Sequence, residues 1–169
     1  MTATSTPLDG MDTSQVGMME ELCLCLDEND NVIDSSSKLT THYGEGIRHR
    51  AFSVLIFDSN DRLLVQQRST DKITFPGVWA NSCCSHPLNI AGENGDAVEG
   101  VIQAARRKLD QELGIPENVT NGWKFNHIGR FEYKCRWDQD WVEHEIDHVL
   151  IVRADCETNH NRNEIQAID

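Results

Sequence analysis

No stretch of this chain approaches the roughly 20 consecutive apolar residues that a membrane-crossing helix requires. Its first residues, Met1 to Met11, hold neither a basic patch nor an apolar core, so neither a secretory leader nor an Arg-rich transit peptide is read there. No C-terminal peroxisomal signal is seen, and the expected compartment is the cytoplasm, with the peroxisome as the second address. Positive charge is scarce. Fifteen Lys and Arg against 28 Asp and Glu leave a formal charge of −13, which disfavours nucleic acid and anionic membranes as partners. Any anionic substrate would therefore need a local cluster of Lys, Arg or metal to reverse the global field. Disulfide geometry is lacking as well: Cys83 and Cys84 are adjacent, and Cys23 and Cys25 lie two apart on an expected strand. Reduced thiols fit that spacing better. Internal repeats and low-complexity tracts are also absent.

What is present suits one domain. The 169 residues are 38% hydrophobic and 25% charged, the balance of a globular protein whose fold buries roughly 68–70% of its unfolded surface. Residues 1–19 read as a flexible N-terminal arm and 20–169 as the domain. Glu20 to Asp27 and Val32-Ile33 form an expected hairpin around Glu28-Asn29-Asp30-Asn31. Ala51 to Phe57 and Arg62 to Arg68 form a second around Asp58-Ser59-Asn60-Asp61. Pro76-Gly77 breaks a loop at 74–79, feeding a short segment from Ala80 to Cys84. Apolar residues at 98, 101, 105, 109 and 113 predict a helix from Asp96 to Leu113, with Gly114 as its stop. Trp123 to Arg136 and Val142 to Arg153 read as two further strands, and the tail from Asp155 as polar chain.

Four constellations carry chemistry. His42, His49, His86, Glu143 and Glu145 could together bind a divalent first-row cation, and Glu143 and Glu145, at i and i+2 on a strand, share a face from which His144 points away. Scattered histidines and strand glutamates are also ordinary, and spacing alone does not decide between the two. Cys84, beside Cys83 and near His86, is either a tuned thiol or a small buried hydrophobe. The helix segment from Ala104 to Gly114 resembles the second half of the Nudix box, with Glu99 eight residues before Arg107. There, Lys108 and Gln111 replace two carboxylates and Gly92 is one residue out of register; the missing acids make pyrophosphate hydrolysis doubtful. Finally, Lys38, Arg68, Lys72 and Lys108 would supply phosphate contacts if they converge.

Together these segments resemble the type I isopentenyl-diphosphate isomerases from about Glu20 onward. Five blocks match in order: His42 with Arg48-His49-Arg50-Ala51-Phe52-Ser53; Leu64-Val65-Gln66-Gln67-Arg68-Ser69; Phe75-Pro76-Gly77 with Asn81 to Pro87; the altered helix; and Glu143-His144-Glu145. The resemblance implies a Nudix fold of the α/β (α+β) class, a mixed β-sheet packed by helices, and interconversion of isopentenyl and dimethylallyl diphosphate through a carbocation. It implies a His3Glu2 site for Mg²⁺, Mn²⁺ or Zn²⁺ at His42, His49, His86, Glu143 and Glu145, and Glu112 as ligand of a second Mg²⁺ shared with the substrate diphosphate. Cys84, Glu145 and Tyr133 take the catalytic positions, while Lys38, Arg68, Lys72, Lys108 and Trp79 take the substrate-binding ones. The expected partner is a small isoprenoid diphosphate, and the expected state a monomer or weak oligomer. Such isomerases usually continue beyond the Asn163-Glu164-Ile165 region into a lid that contributes a tryptophan. The chain as given stops at Asp169, so a weakly active or silent, binding-only form is the first alternative and a nucleoside-diphosphate hydrolase the second.

Overall fold

The β-branched and aromatic run ending at Phe57 lies at the centre of the molecule. It forms strand β3 (His49–Phe57), the middle of a six-stranded sheet. In the computed structural model, which describes residues 6–169, β1 (Leu22–Leu26) and β2 (Val32–Ser37) make the first hairpin as expected. Helix α2 (Lys38–His42) follows at once, its N-terminus capped by the Ser37 hydroxyl, which accepts from the Thr40 amide. β8 (Val142–Arg153) runs parallel to β3 along its whole length, and β7 (Asn126–Arg136) pairs antiparallel to β8 as the edge. β6 (Cys83–Ser85) pairs antiparallel with the other side of β3.

The second expected hairpin forms only at its turn. Leu64 N still donates to Ile56 O (2.9 Å), but β4 (Gln66–Arg68) then leaves for a separate three-stranded sheet between β5 (Trp79–Ala80) and β9 (Ile165–Ile168). The physical reason is competition. β8 and β6 already take both edges of β3, so β4 satisfies its backbone elsewhere, and the polar tail supplies the partner strand that its composition hid.

The long helix α3 (Ala97–Leu113) starts and stops where its signals place it: Asp96 Oδ1 accepts from the amides of Val98 and Glu99, and Gly114 ends it at φ 65°. Its buried face, Val101, Ala104, Ala105, Leu109 and Leu113, packs on Phe52, Val54, Ile56, Leu150 and Val152. Fully burying each large apolar side chain of that core stabilises the fold by about 1.5–3 kcal/mol. Gly100 permits the helix to touch the loop before it, since a Cβ there would sit 2.2 Å from Glu93 O. A short α4 (Glu117–Thr120) follows.

The N-terminal arm differs from expectation. Met1–Ser5 lie outside the described residues, but Thr13–Met18 form helix α1, capped by Asp12 and carrying the buried Gln15. Met19 behind it packs with Ile73 and Trp141. One buried amide and one apolar anchor hold a segment whose composition alone reads as loose.

Candidate active site

The parallel register sets His49 of β3 beside Glu145 of β8. His42, at the end of α2, and His86, just after β6, close on the same point: the three imidazole centroids are 4.6–4.9 Å apart. Glu145 Oε1 lies 2.9 Å from His86 Nε2, 3.4 Å from His49 Nε2 and 3.8 Å from His42 Nε2. One ligand atom from each of the four residues falls within 4.8 Å of the others, and all four are buried. Their backs are fixed. His42 Nδ1 lies 2.9 Å from Lys38 O and His49 Nδ1 2.7 Å from Ile47 O; donation of Nδ1–H to those carbonyls leaves both Nε2 lone pairs facing inward.

The electrostatics fit a cation. Burial and the neighbouring imidazoles of His49 and His86 push His42 well below the usual range, and burial pushes His86 down to about 3, so both present neutral rings. Burial would raise Glu145, but the His49 and His86 imidazoles beside its Oε1 outweigh it and hold its carboxyl well below the usual carboxylate range. His49 Nε2 is buried without a hydrogen-bond partner among the described residues. Neutral imidazoles and a carboxylate are the donor set of a divalent metal, and this cluster could hold one. Glu143 stands apart from the four. It is held instead through Tyr133, whose hydroxyl lies 2.9 Å from Glu143 Oε2 and 2.6 Å from Glu145 Oε2. A phenol has one proton and cannot donate to both at once. Burial and the charge on Glu145 push Glu143 up to about 7, and burial with the same two carboxylates keeps Tyr133 a phenol.

A cavity of about 380 Å³ opens beside the cluster. Cys84, Tyr133, Glu143, Glu145, Glu112 and the cations Lys38, Arg68, Lys72 and Lys108 all line it, so the structure brings together four basic residues that are scattered in sequence. Arg68 also orders the cavity's loop, donating to Phe75 O (2.9 Å) and Thr74 O (2.7 Å). Lys108 pairs with Glu112 at 3.0 Å. Burial would raise Glu112, yet Lys108 and Lys72 hold it down at about 2. Trp79 does not line this cavity. It sits half exposed on β5 between Val78 and Ala80, which do, and strand alternation turns its ring away. The aromatic lining comes from Phe75, Phe131 and Tyr133.

Three polar residues around the thiol were given no role in the sequence reading. Cys84 Sγ donates to Asn81 Oδ1 (2.9 Å) and lies 3.8 Å from Ser53 Oγ, whose proton goes to Asp147 Oδ2 (2.7 Å). Burial and the nearby Asp147 push the Cys84 thiol up to about 12, and burial raises Asp147 to about 7. Asp147 continues the Glu143, Glu145 alternation along β8, which was the available signal. Behind the site, Arg107 of the altered box donates to both oxygens of Glu93 (2.6 and 3.0 Å) and to His86 O (3.1 Å), so α3 fixes the loop that carries His86.

Among the described residues no helix is long and apolar enough to cross a membrane. The NUDIX domain matches residues 47–169. The chain is 48% identical to the isopentenyl-diphosphate delta-isomerase of Aspergillus fumigatus, a match spanning 96% of this chain and 64% of that protein. It is 46% identical to the enzyme of the same name from Schizosaccharomyces pombe (92% and 72%) and 44% identical to isopentenyl-diphosphate Delta-isomerase 1 of Bos taurus (94% and 72%). It thus spans about two thirds of the length of these relatives. The crystal structure of DR0079 from Deinococcus radiodurans shares the fold at a TM-score of 0.62 with 19% identity, over 89% of this chain and 82% of that one. With a box whose helix, caps and supporting arginine persist while two of its acids do not, the chain belongs to the Nudix superfamily and, within it, to the isopentenyl-diphosphate isomerase family.

Proposed function

We propose that the chain converts isopentenyl diphosphate to dimethylallyl diphosphate, a step of isoprenoid biosynthesis. The observation that carries this reading is one cavity lined both by a thiol and carboxylate pair, Cys84 and Glu145, and by four cations suited to a diphosphate. A proton added to the terminal alkene carbon makes a tertiary carbocation, and removal of a proton from the carbon on its other side forms the new double bond. One proton enters and one leaves, so the formula is unchanged.

Cys84 keeps its proton at neutral pH because burial and Asp147 oppose the thiolate, and it faces the alkene as the acid. Glu145, held ionised by His49 and His86, is the base, with Tyr133 steadying its second oxygen. The π-faces of Phe75, Phe131 and Tyr133 attract the developing cation, each by about 0.5–2 kcal/mol. Lys38, Arg68, Lys72 and Lys108 anchor the diphosphate. His42, His49, His86 and Glu145 would hold a divalent cation, with Glu143 nearby as a further donor, and when bound it would supply positive charge beside the base; Mg²⁺, Mn²⁺ or Zn²⁺ would suit those donors. Glu112, on the box helix and lining the cavity, would be the acid for a second Mg²⁺ brought with the diphosphate. Hydrolysis is the weaker reading, because the box positions that would carry further cations hold Lys108 and Gln111.

Incubating the purified chain with isopentenyl diphosphate and Mg²⁺ in D₂O, with Mn²⁺ or Zn²⁺ added in turn, tests the proposal. Deuterated dimethylallyl diphosphate is the expected product. Released phosphate would indicate a hydrolase, and substrate binding with no exchange a silent form.

A further inference from the structure

Two of the cavity's three lysines, Lys72 and Lys108, are ion-paired. Lys72 is ion-paired with Glu164, a residue 1% exposed that does not itself line the cavity. Glu164 sits in the loop before β9, and its backbone is pinned on two sides. Ser69 N, just past β4, donates to Glu164 O (3.0 Å), while Asn161 N donates to Glu112 O (2.8 Å) and Asn161 O accepts from Ile165 N (2.8 Å). The loop therefore bridges the last turn of α3 and the end of β4. The carboxylate's two oxygens are divided: Oε2 takes Lys72, and Oε1 accepts from Gln15 Nε2 of α1 (3.4 Å). Gln15 is itself buried, and is seated by Asn163, whose Oδ1 accepts from it (2.8 Å) and whose Nδ2 returns to the cap residue Asp12 (3.0 Å). Among the described residues a carboxylate this buried and this constrained has one charged partner in hydrogen-bonding range, Lys72, and that partner faces the cavity.

We infer that Glu164, steadied by Gln15, is a positioning residue for the diphosphate end of the cavity, fixing Lys72 in its wall. The inference rests on the reading of that end as a diphosphate site. A lysine ammonium rides on a flexible four-carbon stem and goes where the nearest carboxylate is. Without Glu164 the acid left to attract Lys72 is Glu112, already paired with Lys108. Lys72 would then compete for the oxygens meant for a cation, and the anion would lose a fixed contact. Gln15 lies before residue 47, where the NUDIX match begins, so the segment ahead of the conserved domain joins in shaping the site.

The test is a calorimetric titration of the full chain with inorganic pyrophosphate and Mg²⁺, run beside isomerase kinetics and thermal melting. Glu164→Gln should weaken pyrophosphate binding about tenfold and raise KM by a similar factor while kcat stays within about twofold. Glu164→Asp should recover part of that loss. Lys72→Met should match the loss, and the double variant should be no worse than Lys72→Met alone, because Glu164 acts through Lys72. Unchanged or tighter pyrophosphate binding in folded Glu164→Gln would overturn the inference, tighter binding meaning that Glu164 competes with the anion. Losses that add in the double variant would overturn it too. If melting shows Glu164→Gln unfolded, Gln15→Ala decides: about threefold weaker binding at constant kcat is expected, and wild-type affinity refutes it. Should the chain turn over no isopentenyl diphosphate, the pyrophosphate titration still reads the cradle by itself.

Discussion

Strands β3 and β8 carry two buried polar clusters on opposite faces, built from similar residue types. On one face His49 and Glu145 meet His42 and His86. On the other, Arg50 and His148, out of phase with that pair along the same strands, meet Asp30, which the first hairpin's turn folds over the sheet. The Asp30 cluster is closed. Arg50 Nε and His148 Nε2 reach separate oxygens of Asp30 at 2.8 and 2.9 Å, Arg130 adds a third contact at 2.8 Å, and Arg50 Nη2 takes the Asp30 carbonyl at 2.5 Å. Among the described residues only Arg50 Nη1 is left over there. The His/Glu cluster is open: three imidazoles, two of them pushed toward neutrality, crowd one carboxylate oxygen, and His49 Nε2 has no hydrogen-bond partner among the described residues. Both contain His and acid. What separates structure from site is whether the positive charge is already present in the side chains or must come from outside.

Substitutions should split the clusters by readout. The largest effect expected is on turnover: Cys84→Ser and Glu145→Gln should each lower isomerisation by about 10²–10⁴-fold, with the fold intact by circular dichroism. Near-normal turnover in either would remove that residue from the chemistry. Asp30→Ala should do the reverse. Leaving Arg50 buried without its partner should destabilise the fold by about 3–5 kcal/mol in urea melts at pH 7, while turnover per folded molecule is unchanged. The pH window follows from the sign of the shift. Burial would raise Asp30, but His148 and Arg50 outweigh it and hold its folded pKa below the ordinary value, so its contribution is complete above the unfolded value of about 3.9 and fades as pH falls through the folded one. The stability gap between wild type and Asp30→Asn should thus be constant near neutrality and close below about pH 4.

The same contrast shows how far the sequence could be read. Local signals placed α3 and its caps, the first hairpin, β7 and β8, because period and turn chemistry act within a few residues. The gathering of His42, His49, His86 and Glu145, which could hold a metal, was legible because the resemblance supplied what spacing could not. It was the non-local choices that stayed hidden. β4 leaves β3 because β6 and β8 take both edges, β9 is a polar strand defined only by its partner, and Gln15 is anchored by residues some 148 positions away. Trp79 shows the opposite case, a residue type suited to a carbocation that does not line this cavity while its strand neighbours Val78 and Ala80 do. Asp30 looked like turn chemistry and nothing more, since the charge that buries it comes from β3, β7 and β8.

A smaller effect concerns the ion. Mg²⁺, Mn²⁺ or Zn²⁺ at a hundred times its dissociation constant should add about 2.7 kcal/mol of stability, reversed by a chelator. His49→Ala should abolish that gain and Asp30→Asn should keep it. Without the ion, the depressed His42 and His86 give stability that is present at neutral pH and falls as pH drops below the unfolded imidazole value of about 6.5, an onset well above that of Asp30. Should both clusters respond alike to metal, the distinction drawn between them fails.

The smallest effect asks where the closed cluster ends. Arg130 touches Asp30 at the same 2.8 Å as Arg50, but its side chain is 47% exposed, against 2% for Arg50. If burial sets the worth of a contact, water will replace Arg130 at Asp30 Oδ2, where His148 remains bound. Arg130→Ala should then cost no more than about 1 kcal/mol and lose even that in high salt. A loss as large as that of Asp30→Ala, insensitive to salt, would mean that the outer arginine rather than the inner pair neutralises Asp30, and that this cluster too draws its missing charge from the edge of the protein.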